Sequence, residues 1–447
     1  MASTRRHFLS TTGFGLAASS LATAAGSKTS PNDRIQYALI GCGGMGQGDV
    51  KNSEPYKSAR IIGGCDIYTS RLTRMKELFG SDLFLTRDYR EVLAKPEVDA
   101  VYIATPDHWH ARIAIDAMKA GKDVYVQKPM VQKVAEGLPV IEAEKKTGRI
   151  LQVGSQRVSS IIYAKAKELY RAGAIGELNM VEVYYDRNSA TGAWQYTIPP
   201  DATPETVDWD RFIGHAPKRP FEPIRLFRWR NYQDYGTGVA GDLFVHLFSG
   251  VHFVLDSLGP NRVYATGGLR YWKDGRDVPD VMLGLFDYPK TRNHPEFTLA
   301  LRTNFKVGSG GGLRFRFVGS EGEMVIGNGG VTVQRSSQET RPGLTIGTFP
   351  KALQAKIQAE YDAKYPETNP TAGSMEAEKV EEYMAPRGYS DNVDHHRVFF
   401  DAIRERKPVV EDATFGFRAA GPALLSNMSY FDRKVYEWDA HAMQIKS

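Results

Sequence analysis

From residue 35 the chain alternates short apolar runs with amphipathic stretches. Ile35-Gln36-Tyr37-Ala38-Leu39-Ile40 reads as a buried strand and runs straight into Gly41-Cys42-Gly43-Gly44-Met45-Gly46, after which a helix begins. Residues 59–66 read as a second strand ending in an acid, Asp66, and residues 71–79 as a helix. A third strand follows at 99–105, then a helix at 109–119 closed by Gly121. A fourth strand spans 123–127, a helix 134–146 ends near Gly148, and a fifth strand occupies 150–153. Strands alternating with helices predict right-handed βαβ crossovers and a parallel Rossmann sheet, which binds ligands at the carboxyl ends of its strands.

After Gly154 the pattern changes. A helix at 161–172 leads to an alternating strand at 179–185, then a long loop rich in aromatics and proline at 188–230. A helix near 242–255 precedes six strand-like runs, at 262–266, 281–288, 296–304, 313–318, 323–326 and 330–334. Consecutive strands with turn-like spacing predict an open, mostly antiparallel sheet, so the fold class is α/β plus α+β. Gly308-Ser309-Gly310-Gly311-Gly312 reads as a hairpin tip, because it lacks the strand-then-helix setting of a phosphate loop. Residues 335–385 form a charged, loop-rich insertion without a readable role. Amphipathic helices follow at 395–406 and 413–430, the first opened by His395-His396, which read as a surface or capping feature. The domains divide as 1–31 leader and linker, 32–155 dinucleotide-binding, and 156–447 substrate and catalytic.

Composition narrows the class. The 447 residues are 42% hydrophobic and 24% charged, typical of a globular protein of two domains. A net charge of +5 is too small and too dispersed to point to nucleic acid. No apolar run is long enough for membrane insertion. Thr4-Arg5-Arg6-His7-Phe8-Leu9-Ser10, a weakly apolar stretch and Ala22-Thr23-Ala24 resemble a twin-arginine export signal, which implies a periplasmic or otherwise exported protein. Free cofactors are scarce outside the cytoplasm, so an exported protein that uses one is expected to hold it tightly. Cys42 and Cys65 are the two cysteines and read as small buried residues near the cofactor.

The chemistry-bearing motifs fall at strand ends. Gly41, Gly43 and Gly46 match G-x-G-x-x-G, with Gly44 and Met45 between, and the pattern brings backbone N–H groups to a pyrophosphate. Asp66 lies where an acid accepts from the adenosine ribose, which favours NAD; the nearby Arg71 leaves NADP possible. Lys128, in Gln127-Lys128-Pro129, emerges at the carboxyl edge of the fourth strand. Asp242 and His246 stand at i and i+4 and would share a helix face. His108-Trp109-His110 lacks further ligands at metal spacing, so no metal is expected.

These marks, with Ala104-Thr105-Pro106, Lys128-Pro129, the D-x-x-x-H of Asp242 and His246, and the late run Pro408-Val409-Val410-Glu411-Asp412-Ala413, resemble the Gfo/Idh/MocA family of oxidoreductases. The resemblance implies that Lys128, Asp242 and His246 are catalytic. It implies that Thr105 and Pro106 touch the adenosine side, that His110 packs near the cofactor, and that Gln127 bonds a ribose hydroxyl of the nicotinamide half. It implies an NAD(P)-dependent enzyme acting on a sugar or polyol secondary alcohol, in a homo-oligomer paired through the open sheet. An alternative on the same fold is a redox glycoside hydrolase that oxidises, eliminates and reduces again. Two positions depart from the family pattern: Gln127 replaces the usual Glu, and Ser249 replaces a frequent Asp. Gln156, Arg157, Trp229, Tyr232 and Tyr235 are the candidate substrate residues, since aromatic faces beside Arg suit polyhydroxylated sugars.

Overall fold

The computed structural model describes residues 34–327, 329–335, 343–365 and 380–446, so the export-signal segment lies outside the described residues. The first domain runs β1 (Ile35–Ile40), α1 (Gly44–Ser53), β2 (Ala59–Cys65), α2 (Thr69–Phe79), β3 (Phe84–Thr86), α3 (Tyr89–Leu93), β4 (Ala100–Ile103), α4 (His110–Lys119), β5 (Asp123–Gln127), α5 (Gly137–Thr147) and β6 (Leu151–Gly154). Its six strands are all parallel, in the order β3-β2-β1-β4-β5-β6. Neighbours β1 and β4 lead in opposite directions across the sheet, and the crevice between their carboxyl ends is the topological switch point. β3 adds a strand the sequence did not announce, because three residues are too few to show a period.

The second domain opens with α6 (Ile161–Arg171) and β7 (Leu178–Asp186) and passes through the short helices α7 (Trp209–Ile213) and α8 (Pro223–Phe227). A π-helical turn, Ala240–Phe244, leads into α9 (Val245–Leu255). Then come β8 (Arg262–Gly268), β9 (Val281–Tyr288), β10 (Phe297–Asn304), β11 (Gly312–Gly319), β12 (Gly322–Gly327) and β13 (Gly330–Arg335). The chain ends in α10 (Lys351–Lys364), β14 (Val380–Met384), α11 (Asp391–Glu405), α12 (Ala413–Asp432), β15 (Tyr436–Asp439) and β16 (Gln444–Ile445). Ten strands make one sheet, β14-β13-β12-β11-β7-β10-β9-β8-β15-β16, antiparallel except where β7 lies parallel to β10. That exception corrects the reading of the glycine run at 308–312. β7 sits between β10 and β11, so the glycines form a crossover over a strand end and not a hairpin tip. A Cβ on Gly311 would stand 2.7 Å from the Asp186 carbonyl oxygen, which accounts for a small residue there.

Two features tie the sheets together. Apolar residues of both, from Ile40 and Val153 to Phe248 and Phe286, belong to one buried cluster. Helix α11 returns to cover the parallel sheet, packing Phe399 and Phe400 against Tyr102. This overturns the surface reading of His395 and His396, which are both buried. The His395 Nε2 meets the Val153 carbonyl oxygen at 2.9 Å, and the His396 Nδ1 meets the Tyr102 hydroxyl at 3.0 Å. A polar dipeptide at a helix start looks solvated until the helix is known to lie on a sheet whose polar groups need partners. Among the described residues no helix is long and apolar enough to cross a membrane.

Candidate active site

The glycine turn shapes the first part of the cleft. Gly41 has φ +94°, and a Cβ there would strike the Ala104 carbonyl group at 2.6 Å. A Cβ on Gly46 would lie 2.3 Å from the Gly41 carbonyl oxygen, so glycine lets α1 seat directly on the turn. At Gly44 a Cβ would meet nothing within 4 Å, because that position faces the open cradle. No side chain caps the start of α1, and its N–H groups stay available to an anion. Beside it opens a cavity of about 670 Å³ whose walls include Gly41, Gly43, Gly44, Met45, Asp66, Arg71, Thr105 and Pro106. Asp66 accepts from the backbone N–H of Cys42 at 2.8 Å and of Tyr68 at 2.9 Å, with Arg71 3.6 Å away. The Thr105 hydroxyl is buried without a partner. An uncapped helix start, a glycine cradle and an orphaned hydroxyl fit a dinucleotide: the pyrophosphate at α1, the adenosine ribose at Asp66. Cys42 and Cys65 are buried and free.

The cavity continues into a smaller pocket of about 210 Å³, and both share Met45, Thr105, Trp229 and Arg230. Lys128, Asp242 and His246 all line the smaller pocket. Lys128 leaves the carboxyl end of β5, as predicted, and its Nζ donates to Asp242 Oδ1 at 2.7 Å and to the Asp242 carbonyl oxygen at 2.8 Å. Arg230 Nε donates to the same Oδ1 at 3.1 Å. Asp242 lies in the π-helical turn and His246 in the first turn of α9, so the wider turn replaces the single regular helix expected. Gly241 makes room in that turn, since a Cβ would overlap Thr237 at 2.1 Å. Thr237 in turn donates through N and Oγ1 to Asp107, a second pocket carboxylate, at 2.9 and 2.7 Å.

Burial and neighbours set the charges. Burial opposes ionisation of Asp242, but Lys128 and Arg230 outweigh it and hold the carboxyl well below its usual range. Burial, reinforced by the Lys128 charge, pushes His246 well below the ordinary imidazole value, so it is neutral at pH 7. Burial lifts Asp107 to about 7 against the pull of Thr237. His246 Nδ1 stands 3.3 Å from Ser155 Oγ. With Nδ1–H donating to that hydroxyl, Nε2 carries the lone pair a base needs.

Other predicted residues divide. Gln127 lines the pocket, but its amide N–H groups serve the buried Asp49 at 2.9 and 3.0 Å. That explains the departure from Glu, since a second carboxylate there would face Asp49. His110 lines the pocket while its ring nitrogens meet the Pro129 and Thr105 carbonyl oxygens at 2.7 and 2.9 Å. It ties together the loops after β4 and β5, and burial holds it down at about 4. Ser249 is buried and donates to Glu411, of the late family-like run, at 3.2 Å. Gln156 and Trp229 line the pocket. Arg157, Tyr232 and Tyr235 do not. Arg157 pairs with Asp391 at 3.3 Å, Tyr232 is buried under Arg225, and Tyr235 is buried against Phe212. These three face the packing between segments, which an aromatic-rich loop conceals in sequence. Arg187, Trp194 and Tyr196 line the pocket and were missed; all lie at the start of the loop after β7, with no motif to mark them. Among the described residues no cluster of three or more His, Cys, Asp or Glu could hold a metal ion.

A glycine-turn crevice on a parallel sheet, opening into a pocket lined by a lysine, an acid and an imidazole, defines a dinucleotide-binding fold of the Rossmann type. The profile of an oxidoreductase family with an NAD-binding Rossmann fold matches residues 35–155, and that of the GFO/IDH/MocA C-terminal domain matches residues 163–325. The chain belongs to the Gfo/Idh/MocA family. It is 31% identical over 160 residues to the inositol 2-dehydrogenase of Gluconacetobacter diazotrophicus, covering 35% of this chain and 47% of that one. It is 25% identical over 336 residues to the inositol 2-dehydrogenase of Acidothermus cellulolyticus, covering 74% and 83%. The chain spans about half the length of the first curated relatives it matches. Among solved structures, levoglucosan dehydrogenase in complex with NADH and levoglucosan shares the fold, with a TM-score of 0.65 at 17% identity over 90% of this chain and 99% of that one.

Proposed function

We propose that this protein oxidises a secondary alcohol of a sugar or polyol, or reduces the matching ketone, with a nicotinamide cofactor it holds tightly. The observation that carries this is the meeting of Lys128, Asp242 and His246 in the pocket that continues the dinucleotide cleft. Relatives named inositol 2-dehydrogenase support the substrate class. When bound, the nicotinamide accepts the two electrons and the hydrogen released from the substrate carbon. His246 Nε2 takes the hydroxyl proton as the C–H and O–H bonds break and the C=O bond forms. Lys128 has three N–H donors and gives two to Asp242, so the third can meet the substrate oxygen as negative charge grows there. Asp242 fixes that ammonium.

The twin-arginine resemblance supports export, and the open sheet face, where Tyr264, Leu283 and Leu285 stand exposed, supports pairing with a second copy. The test is mass spectrometry of nucleotide released from purified protein, followed by a panel of sugars, polyols and glycosides. Reduced nicotinamide formed from a free sugar or polyol supports the proposal. Free sugar released from a glycoside without net reduction would replace it with the oxidation–elimination–reduction reading. Absence of nucleotide together with no binding of added NAD or NADP would end both.

A further inference from the structure

We propose that the pocket is built for an anionic sugar, a carboxylate-bearing one such as a uronic or aldonic acid, and that Arg187 binds the carboxylate. This rests on the dehydrogenase reading above and narrows its substrate. Three cationic side chains line the pocket, Lys128, Arg187 and Arg230, against two carboxylates, Asp107 and Asp242. Lys128 and Arg230 share Asp242. Burial lifts Asp107 to about 7, so at neutral pH it supplies less than a full negative charge.

Arg187 has no carboxylate partner among the described residues. One N–H donates to the Gly192 carbonyl oxygen at 2.8 Å. The guanidinium lies 5.1 Å from the Tyr185 ring centre and 5.6 Å from that of Phe305, so aromatic faces hold it in place. Beside it Trp194 adopts φ +64°, a conformation bulky residues rarely take, and is fully buried edge-on to Phe305. Its indole N–H has no acceptor. The wall after β7 thus presents donors in excess, and its positive charge is offset only in part, by an Asp242 that Lys128 and Arg230 already share. A neutral hydroxyl can accept a bond but leaves the remaining charge in place. A carboxylate supplies both, and its two oxygens match the parallel N–H pair of a guanidinium better than a point charge would. Gln156 Oε1, buried without a partner on the same pocket, is an acceptor suited to a sugar hydroxyl.

The experiment uses NAD-loaded protein and measures binding by calorimetry and nicotinamide reduction by absorbance. Galacturonate, glucuronate and gluconate are compared with galactose, glucose and myo-inositol, and glucose 6-phosphate is a separate arm. The acids should bind at least about tenfold more tightly than their neutral counterparts, the scale of one charge-assisted bond. Arg187→Met should abolish that preference and Arg187→Lys should keep part of it. If neither variant folds, the wild-type ranking decides. Equal or tighter binding of the neutral sugars overturns the proposal, and so does a preference that survives in Arg187→Met. Tighter binding of the phosphate than of the carboxylates overturns the carboxylate assignment. Acids that bind through Arg187 while no sugar or polyol of the panel reduces the nicotinamide would sink the dehydrogenase reading and leave the anion site standing.

Discussion

Replacing Asp242 with Asn tests the centre of the site most directly. Asp242 is 4% exposed and holds Lys128 at 2.7 Å and Arg230 at 3.1 Å. At an effective dielectric near 20 these attractions are worth about 6 and 5 kcal/mol, set against desolvation of several kcal/mol for each ion. Asn keeps the shape and one acceptor but removes the carboxylate that Lys128 and Arg230 share, leaving the partly ionised Asp107 as the remaining acid of the pocket. Breaking a buried pair in this way costs about 3–5 kcal/mol. The urea midpoint of the nucleotide-free protein at neutral pH, with the m-value checked for constancy, measures that cost. The pH dependence has a definite sign. The folded carboxyl titrates well below its usual range and the unfolded one at about 3.9. Its contribution is therefore complete above about pH 4 and fades as pH falls further, toward the folded value. The gap between wild type and variant should hold through neutral pH and narrow in acid. Catalysis should fall too, because the ammonium of Lys128 loses its anchor. A loss under about 1 kcal/mol with turnover unchanged would refute the electrostatic account of this cluster, since even ordinary substitutions often cost that much.

His246→Ala should lower turnover by about 10²–10⁴-fold while nucleotide remains bound, as absorbance of the purified variant will show. In the wild type the acid limb of the rate profile due to His246 should lie well below pH 6.5, because burial and Lys128 favour the neutral ring; a limb at or above 6.5 contradicts this. Gly46→Ala should lift α1 from the turn and weaken nucleotide binding at least about tenfold by calorimetry, since overpacking of this kind costs roughly 1–3 kcal/mol. Gln127→Glu should destabilise the fold by about 1–3 kcal/mol by placing a carboxylate against Asp49, and a more stable variant in thermal unfolding would contradict the explanation of the missing Glu.

The dinucleotide half was legible because its signals are local. A strand, a glycine turn and a helix start are consecutive in the chain, and their meaning depends on backbone conformation and the period of apolar residues. Lys128 was legible for the same reason, as the residue leaving a strand's carboxyl end. The strands of the second domain showed in their alternation, but their neighbours did not, and the glycine run was misplaced because β7 enters the sheet from a distant part of the chain.

What the sequence alone determined, then, was which of the longer segments become strands and helices and where the nucleotide turn sits, and its family resemblance singled out three residues that the fold brings to one pocket. Tertiary structure decided which polar groups are left facing a cavity. Arg187 has no carboxylate beside it and the Trp194 indole N–H no acceptor, while Arg157 pairs with Asp391, Tyr232 and Tyr235 pack away from the pocket, and His395 and His396 are buried on the face that a returning helix lays against the sheet. Whether a donor keeps a free bond depends on every segment packed around it, and those segments come from opposite ends of the chain.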